Sequence, residues 1–208
     1  MSEKRKSRPR PAGFTLVELL TVVAILGILA AILIPAVAAA RRSAEKAKTR
    51  VRFAQWAAAL ESFRNEYGYY PRLDSSQLVN GGVAAAEHPF HDVLAARRRD
   101  GNPLTSGSVA IADNPKRIEF HAFAPVEFAG ADPGILCDAG GNTEIAVLVD
   151  RNLDGVLDAA DFGSLPRVRG LQPPPDDFPA AGLRTSIAFY APAPEASETN
   201  PAFVFSWK

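Results

Sequence analysis

The sequence predicts an α+β protein: a long N-terminal α-helix, transmembrane in its first half, packed on a small antiparallel β-sheet head. Three observations predict it. An apolar run from Leu19 to Ala40 is interrupted only by Thr21. Aromatic and apolar residues then recur at spacings of three and four as far as Tyr67. Short β-prone runs separated by turn-forming residues follow from residue 118 onward.

The chain of 208 residues suffices for an anchor and one domain. Its formal net charge is zero, so no global field directs it to nucleic acid. The zero conceals an asymmetry. Residues 1–13 carry Lys4, Arg5, Lys6, Arg8 and Arg10 against Glu3, leaving 18 basic and 22 acidic residues in the remainder. The lone cysteine, Cys137, excludes an intrachain disulfide and reads as a small buried apolar residue. A domain of this size has core enough to be exported without a disulfide.

Twenty residues at about 1.5 Å each cross a hydrocarbon layer roughly 30 Å thick, which the Leu19–Ala40 run can do. Basic residues before the span and none within it place the N-terminus in the cytoplasm and the rest outside. A cleaved secretory signal has its small residue after the apolar core. Here Gly13 precedes the core, so a cut there removes the charges and keeps the anchor. Glu18 stands out, because a carboxylate in an apolar span costs a few kcal/mol and marks a functional residue. Cleavage after Gly13 would free the α-amine of Phe14, which Glu18 could neutralise in its own chain or in a neighbour's. The plainer reading is an interfacial carboxylate favoured by the helix dipole.

Gly13-Phe14-Thr15-Leu16-Val17-Glu18-Leu19-Leu20 resembles the processing site and helix start of type IV pilins and type II secretion pseudopilins. The resemblance implies cleavage between Gly13 and Phe14 by a prepilin peptidase, which also N-methylates Phe14. It implies that Glu18 serves docking between subunits in a filament.

Pro35 lacks an N–H and is expected to kink or loosen the helix, with Gly27 a second weak point. Beyond Pro35 two stripes separate. Phe53, Trp56, Leu60, Phe63 and Tyr67 form an aromatic stripe expected to pack on the sheet. Val37, Ala40, Ala44, Ala47, Val51, Ala54 and Ala58 form a small-residue stripe suited to close helix–helix contact. Arg41, Arg42, Lys46, Lys48, Arg50 and Arg52 read as a solvated face. Gly68 ends the helix and Pro71 turns the chain. The segment Leu60–Pro71 is similar to the helix exit of the major pseudopilin of type II secretion.

Residues 72–117 read as loops with one short helix near Pro89–Arg99. His88 and His91 lack further ligands for zinc and read as surface residues. Strands are expected at Ile118–Phe123, Thr143–Val149, Ser186–Tyr190 and Ala202–Trp207. Asp138-Ala139-Gly140-Gly141-Asn142 resembles the Asp-x-x-Gly-Asn turn of major pseudopilins, without that motif's usual tryptophan. Pro173–Pro175 and the Pro192–Pro201 stretch read as extended surface loops.

Residues 150–161 read DRNLDGVLDAAD. Side-chain oxygens fall at loop positions 1, 3, 5, 9 and 12 through Asp150, Asn152, Asp154, Asp158 and Asp161. Gly155 takes the sharp turn at position 6, and Val156 offers its carbonyl at position 7. Six or seven oxygens suit calcium, although turn-forming residues alone could produce the pattern. A strand enters the loop where an EF-hand has a helix, and Asp161 stands where it has Glu. The loop therefore resembles the dockerin type. A calcium site in the head also agrees with the pseudopilin resemblance.

No nucleophile stands with a base and no hydrolytic metal cluster is evident, so the chain does not read as an enzyme. The reading is a basic leader at 1–13, a transmembrane filament-core helix at 14–40, its amphipathic continuation at 41–70 and an extracytoplasmic head at 71–208. Expected partners are copies of itself, other pilin-like subunits, the prepilin peptidase and inner-membrane assembly machinery. The expected location is the bacterial inner membrane, crossed once. A type II secretion pseudopilus subunit leads; a type IV pilus major or minor pilin, and a membrane-displayed calcium-dependent adhesion module, are the alternatives.

Overall fold

The computed structural model describes residues 15–84, 87–130 and 134–208. The chain divides into two compact units, Met1–Arg41 and Arg42–Lys208. Helix α1 spans Leu16–Tyr67 and is unbroken at Gly27 and Pro35. In the first unit its large apolar side chains are exposed, from Leu16 at 78% to Ile34 at 70%. The helix is long and apolar enough to cross a membrane. Water would leave that surface uncovered, so lipid or protein must cover it.

The second unit is α+β. After the C-terminal part of α1 come α2 (Pro89–Ala95), α3 (Val109–Asp113), β1 (Ala146–Val149), α4 (Ala159–Phe162), β2 (Ile187–Pro192) and β3 (Phe203–Phe205). The sheet has the order β1-β2-β3 and both pairings are antiparallel. Val147 faces Phe189 across the first pairing, and Tyr190 faces Phe205 across the second.

Strand alternation sorts the core into two layers. Val147, Val149, Ile187, Phe189 and Ala191 meet Phe53, Trp56, Leu60 and Phe63 of α1. Phe189 stacks on Phe53 at 5.5 Å and meets Trp56 edge-on at 5.9 Å. Ala146, Leu148, Ala188, Tyr190 and Phe205 turn the other way, onto Leu157, Val168 and Leu183. Both faces are covered, so β1 and β2 are buried along their whole length. The opposite side of α1 stays open, with Ala44, Ala47, Val51, Ala54 and Ala58 all exposed. Gly68 ends the helix in the left-handed region, φ +81°, its N–H donating to the Arg64 carbonyl at 2.7 Å.

Several local expectations are corrected. Ile118–Phe123 is not a strand: Phe120 and His121 both donate their N–H to the Leu94 carbonyl. Its aromatic residues instead cover α1, Phe120 against Phe63 and Phe123 against Trp56. His88 and His91 are buried, at 0% and 4% exposure. His88 caps α2, with Nδ1 accepting from the His91 N–H and Nε2 bonded to Asn80 Oδ1 at 3.0 Å. Burial is tolerable because each ring nitrogen has a partner. Two members of the basic face are not free in solvent. Lys46 pairs with Glu195, and Arg52 donates to the carbonyls of Cys137 and Val126. β2 runs through Pro192, and Pro173 is buried with a 3₁₀ turn following at Pro175–Asp177.

Candidate functional site

The loop that follows β1 is built by its own side chains. Asp150 is fully buried, its Oδ1 accepting from Leu153 N–H at 2.7 Å and Oδ2 from Gly155 N–H at 2.9 Å. Asn152 Oδ1 accepts from Asp154 N–H, and Asp154 Oδ1 from Val156 N–H. Asp161 reaches back across the loop to the N–H groups of Arg151 and Asp158, at 2.8 and 3.0 Å. Asp158 caps α4 through Ala160 N–H at 2.7 Å and forms a capping box with Asp161. Leu157 is pinned to Leu183 by reciprocal backbone bonds. Gly182 allows that approach, since a Cβ there would lie 2.6 Å from Val156 Cγ1. Gly155 takes φ +84°, which only glycine adopts freely.

These donors fit a hard cation in identity and order. Each carboxylate oxygen that accepts one N–H keeps a second lone pair for an ion. Asp150, Asn152, Asp154, Asp158 and Asp161 together with the Val156 carbonyl would hold it, and calcium there would tie the two ends of the loop together. The side chains point to backbone amides in this structure. Among the described residues, no three carboxylate, imidazole or thiol groups gather as a metal cluster.

At the other end of the chain, Glu18 engages the start of α1. Its Oε2 accepts from both Thr15 N–H and Thr15 Oγ1–H at 2.8 Å, while Glu18 N–H donates back to Thr15 Oγ1 at 3.2 Å. This is a capping box, whose Thr-x-x-Glu signature is legible in the sequence at Thr15 and Glu18. The exchange holds the carboxylate beside the helix N-terminus, where the aligned peptide dipoles favour negative charge. Gly13 and Phe14, the expected cleavage pair, lie outside the described residues.

Residues 8–34 match the family model of the prokaryotic N-terminal methylation motif. The chain carries a type IV prepilin-like N-terminus. No curated protein and no solved structure matches the chain. The prepilin-like match covers the Gly13-Phe14 pair, Glu18 and most of the apolar run. It indicates a subunit processed by prepilin peptidase and assembled with other pilin subunits, and with the exposed apolar helix it suggests single-pass anchoring.

The expected turn at Asp138–Asn142 forms. Asp138 Oδ1 accepts from the Gly140 and Asn142 N–H groups, both at 2.9 Å, and Gly141 takes φ +81°. Cys137 is buried, which pushes its thiol pKa up and leaves it a poor nucleophile.

Proposed function

We propose that this chain is a structural, non-catalytic subunit of a type II secretion pseudopilus. Cut after Gly13 and N-methylated at Phe14, it is held in the bacterial inner membrane with its start cytoplasmic and its head outside. It assembles through α1 with copies of itself and with related subunits. The observation that carries this reading is the exposed apolar length of α1 beneath a prepilin-like N-terminus. In a low-dielectric phase Glu18 serves as counter-charge to the Phe14 amine of a neighbour, released from its own Thr15 cap. The helix exit at Gly68–Pro71, the turn at Asp138–Asn142 and the lack of a disulfide favour a pseudopilus over a pilus. The head binds one calcium ion in loop 150–161. The closing of that loop by Asp161 onto Arg151 and Asp158 supports this site.

Glu18→Ala tests assembly directly. Insertion should persist, since removing a charge eases it, while crosslinked oligomer ladders in membranes should be lost. Ladders equal to wild type would leave Glu18 as a helix cap alone.

A further inference from the structure

A cavity of about 460 Å³ opens beside the Asp138–Asn142 turn and is lined by Asp138, Glu144, Arg169, Pro192 and Pro194 among others. Asp138 is 4% exposed, and Oδ1 alone is engaged, by the two turn amides. Among the described residues, Oδ2 accepts no hydrogen bond. Glu144 is exposed and held to the rim by the Arg169 N–H. The Arg169 guanidinium forms no ion pair with either carboxylate among the described residues. A Cβ on Gly140 would press on Asp138 Oδ1 at 3.3 Å and touch Pro194 Cγ at an ordinary 3.9 Å. Burial raises the Asp138 pKa in spite of its amide donors and the Arg52 charge. The cavity therefore presents two carboxylates, one of them desolvated, and among the described residues neither is held in an ion pair, although the Arg52 charge acts on Asp138 and Arg169 lines the wall.

The complementary group lies on the open face of α1. Of the four lysines among the described residues, Lys46 pairs with Glu195, Lys116 with Glu66 and Lys208 with Asp177. Lys48 is exposed and holds no carboxylate. It stands beside exposed Ala44, Ala47 and Val51, small enough to let another surface approach closely. The charges are segregated: residues 41–52 hold six basic groups against one acid, while residues 53–208 hold 12 basic against 20 acidic.

We propose that the cavity receives Lys48 of a second copy of the chain, its ammonium seated between the Asp138 and Glu144 carboxylates. The inference rests on the assembly reading above and names the head surface that assembly uses. A helix face of one copy meeting a different surface on the next is a heterologous contact, which propagates into an open helical array unless the rotation closes a ring. The cavity is at the lower end of the usual ligand range of about 300–1,000 Å³, ample for one lysine side chain.

Two variants of the full-length chain expressed in one membrane test the contact. One carries Lys48→Arg and keeps both carboxylates; the other keeps Lys48 and carries Asp138→Asn with Glu144→Gln. A carbodiimide, which condenses a touching amine and carboxylate into an amide, should yield a Lys48–Asp138 or Lys48–Glu144 peptide by mass spectrometry only on co-expression. The Lys46–Glu195 peptide should form in every sample and reports a folded head. Glu18-dependent ladders together with the Lys46–Glu195 peptide, but no Lys48 peptide or one joined to other carboxylates, would overturn this contact and leave the assembly reading standing. Absence of all oligomers would overturn both.

Discussion

The indole Nε1 of Trp56 donates to Glu127 Oε2 at 2.6 Å, and both residues are buried. The bond ties α1 to the 3₁₀ turn at Pro125–Glu127. The same carboxylate accepts from Ala124 N–H at 2.8 Å and faces His121 Nε2 at 3.1 Å. Burial pushes the Glu127 pKa up, but the bonds from His121, Ala124 and Trp56 outweigh it and hold the carboxyl below its ordinary value. A carboxylate lowered in this way stabilises the fold above its unfolded pKa, and that stabilisation is lost as pH falls through the folded one. Glu127→Ala strands the indole N–H and should cost about 2–4 kcal/mol. Urea unfolding of residues 42–208, a compact unit by itself, measures this; a loss under about 1 kcal/mol would contradict it.

His88 should make the head acid-sensitive. Its Nδ1 accepts a backbone N–H, so Nε2 carries the proton towards Asn80 Oδ1, and a second proton would break the cap of α2. Burial, with His91 and Arg99 nearby, depresses its pKa from 6.5 to about 3. Between those values the unfolded chain binds a proton that the folded head refuses. Stability should therefore fall as pH drops below 6.5, by at most about 1.4 kcal/mol per pH unit. His88→Gln, which can accept and donate at the same two places, should flatten that slope in chemical denaturation between pH 7 and pH 4.

Processing should remove residues 1–13 and retain the anchor. Mass spectrometry of the membrane-extracted chain should find an N-methylated Phe14 at the mature terminus. A retained Met1 in assembled material, or a terminus beyond Ala40, would contradict the expected role of Gly13.

Calcium should raise the melting temperature of the 42–208 unit. An ion that binds the folded loop and not the unfolded chain adds about 2.7 kcal/mol at a hundredfold excess over Kd. Asp154→Ala removes an exposed carboxylate of the proposed site and should abolish the difference between calcium and chelator, whereas Asp176→Ala, in a separate turn, should not. Equal melting of the wild-type unit in both solutions would leave residues 150–161 as a turn held by its own side chains.

Much of the fold was legible because it obeys local periodicity. The stripe of Phe53, Trp56, Leu60 and Phe63 announces a helix with one buried side, and Gly68 ends it where the left-handed residue is needed. The β-prone runs at Thr143–Val149 and Ser186–Tyr190 contain β1 and most of β2, which pair as strands, although β2 extends to Pro192. Ile118–Phe123 has the same local character and fails, because its backbone finds the end of α2 in place of a partner strand. Strand identity depends on a neighbour, which no local pattern contains.

The sequence by itself determined the apolar length of α1, the Gly13-Phe14 pair with Glu18, and the oxygen spacing of residues 150–161, since each depends only on residue order along a helix or loop. The tertiary structure alone decided that His88 and His91 are buried, that Lys46 and Arg52 are engaged while Lys48 pairs with no carboxylate among the described residues, and that Asp138 lines a cavity. Those states come from groups distant in the chain, Asn80 beside His88 or Glu195 beside Lys46. A polar side chain is buried or exposed according to whether folding brings it a partner.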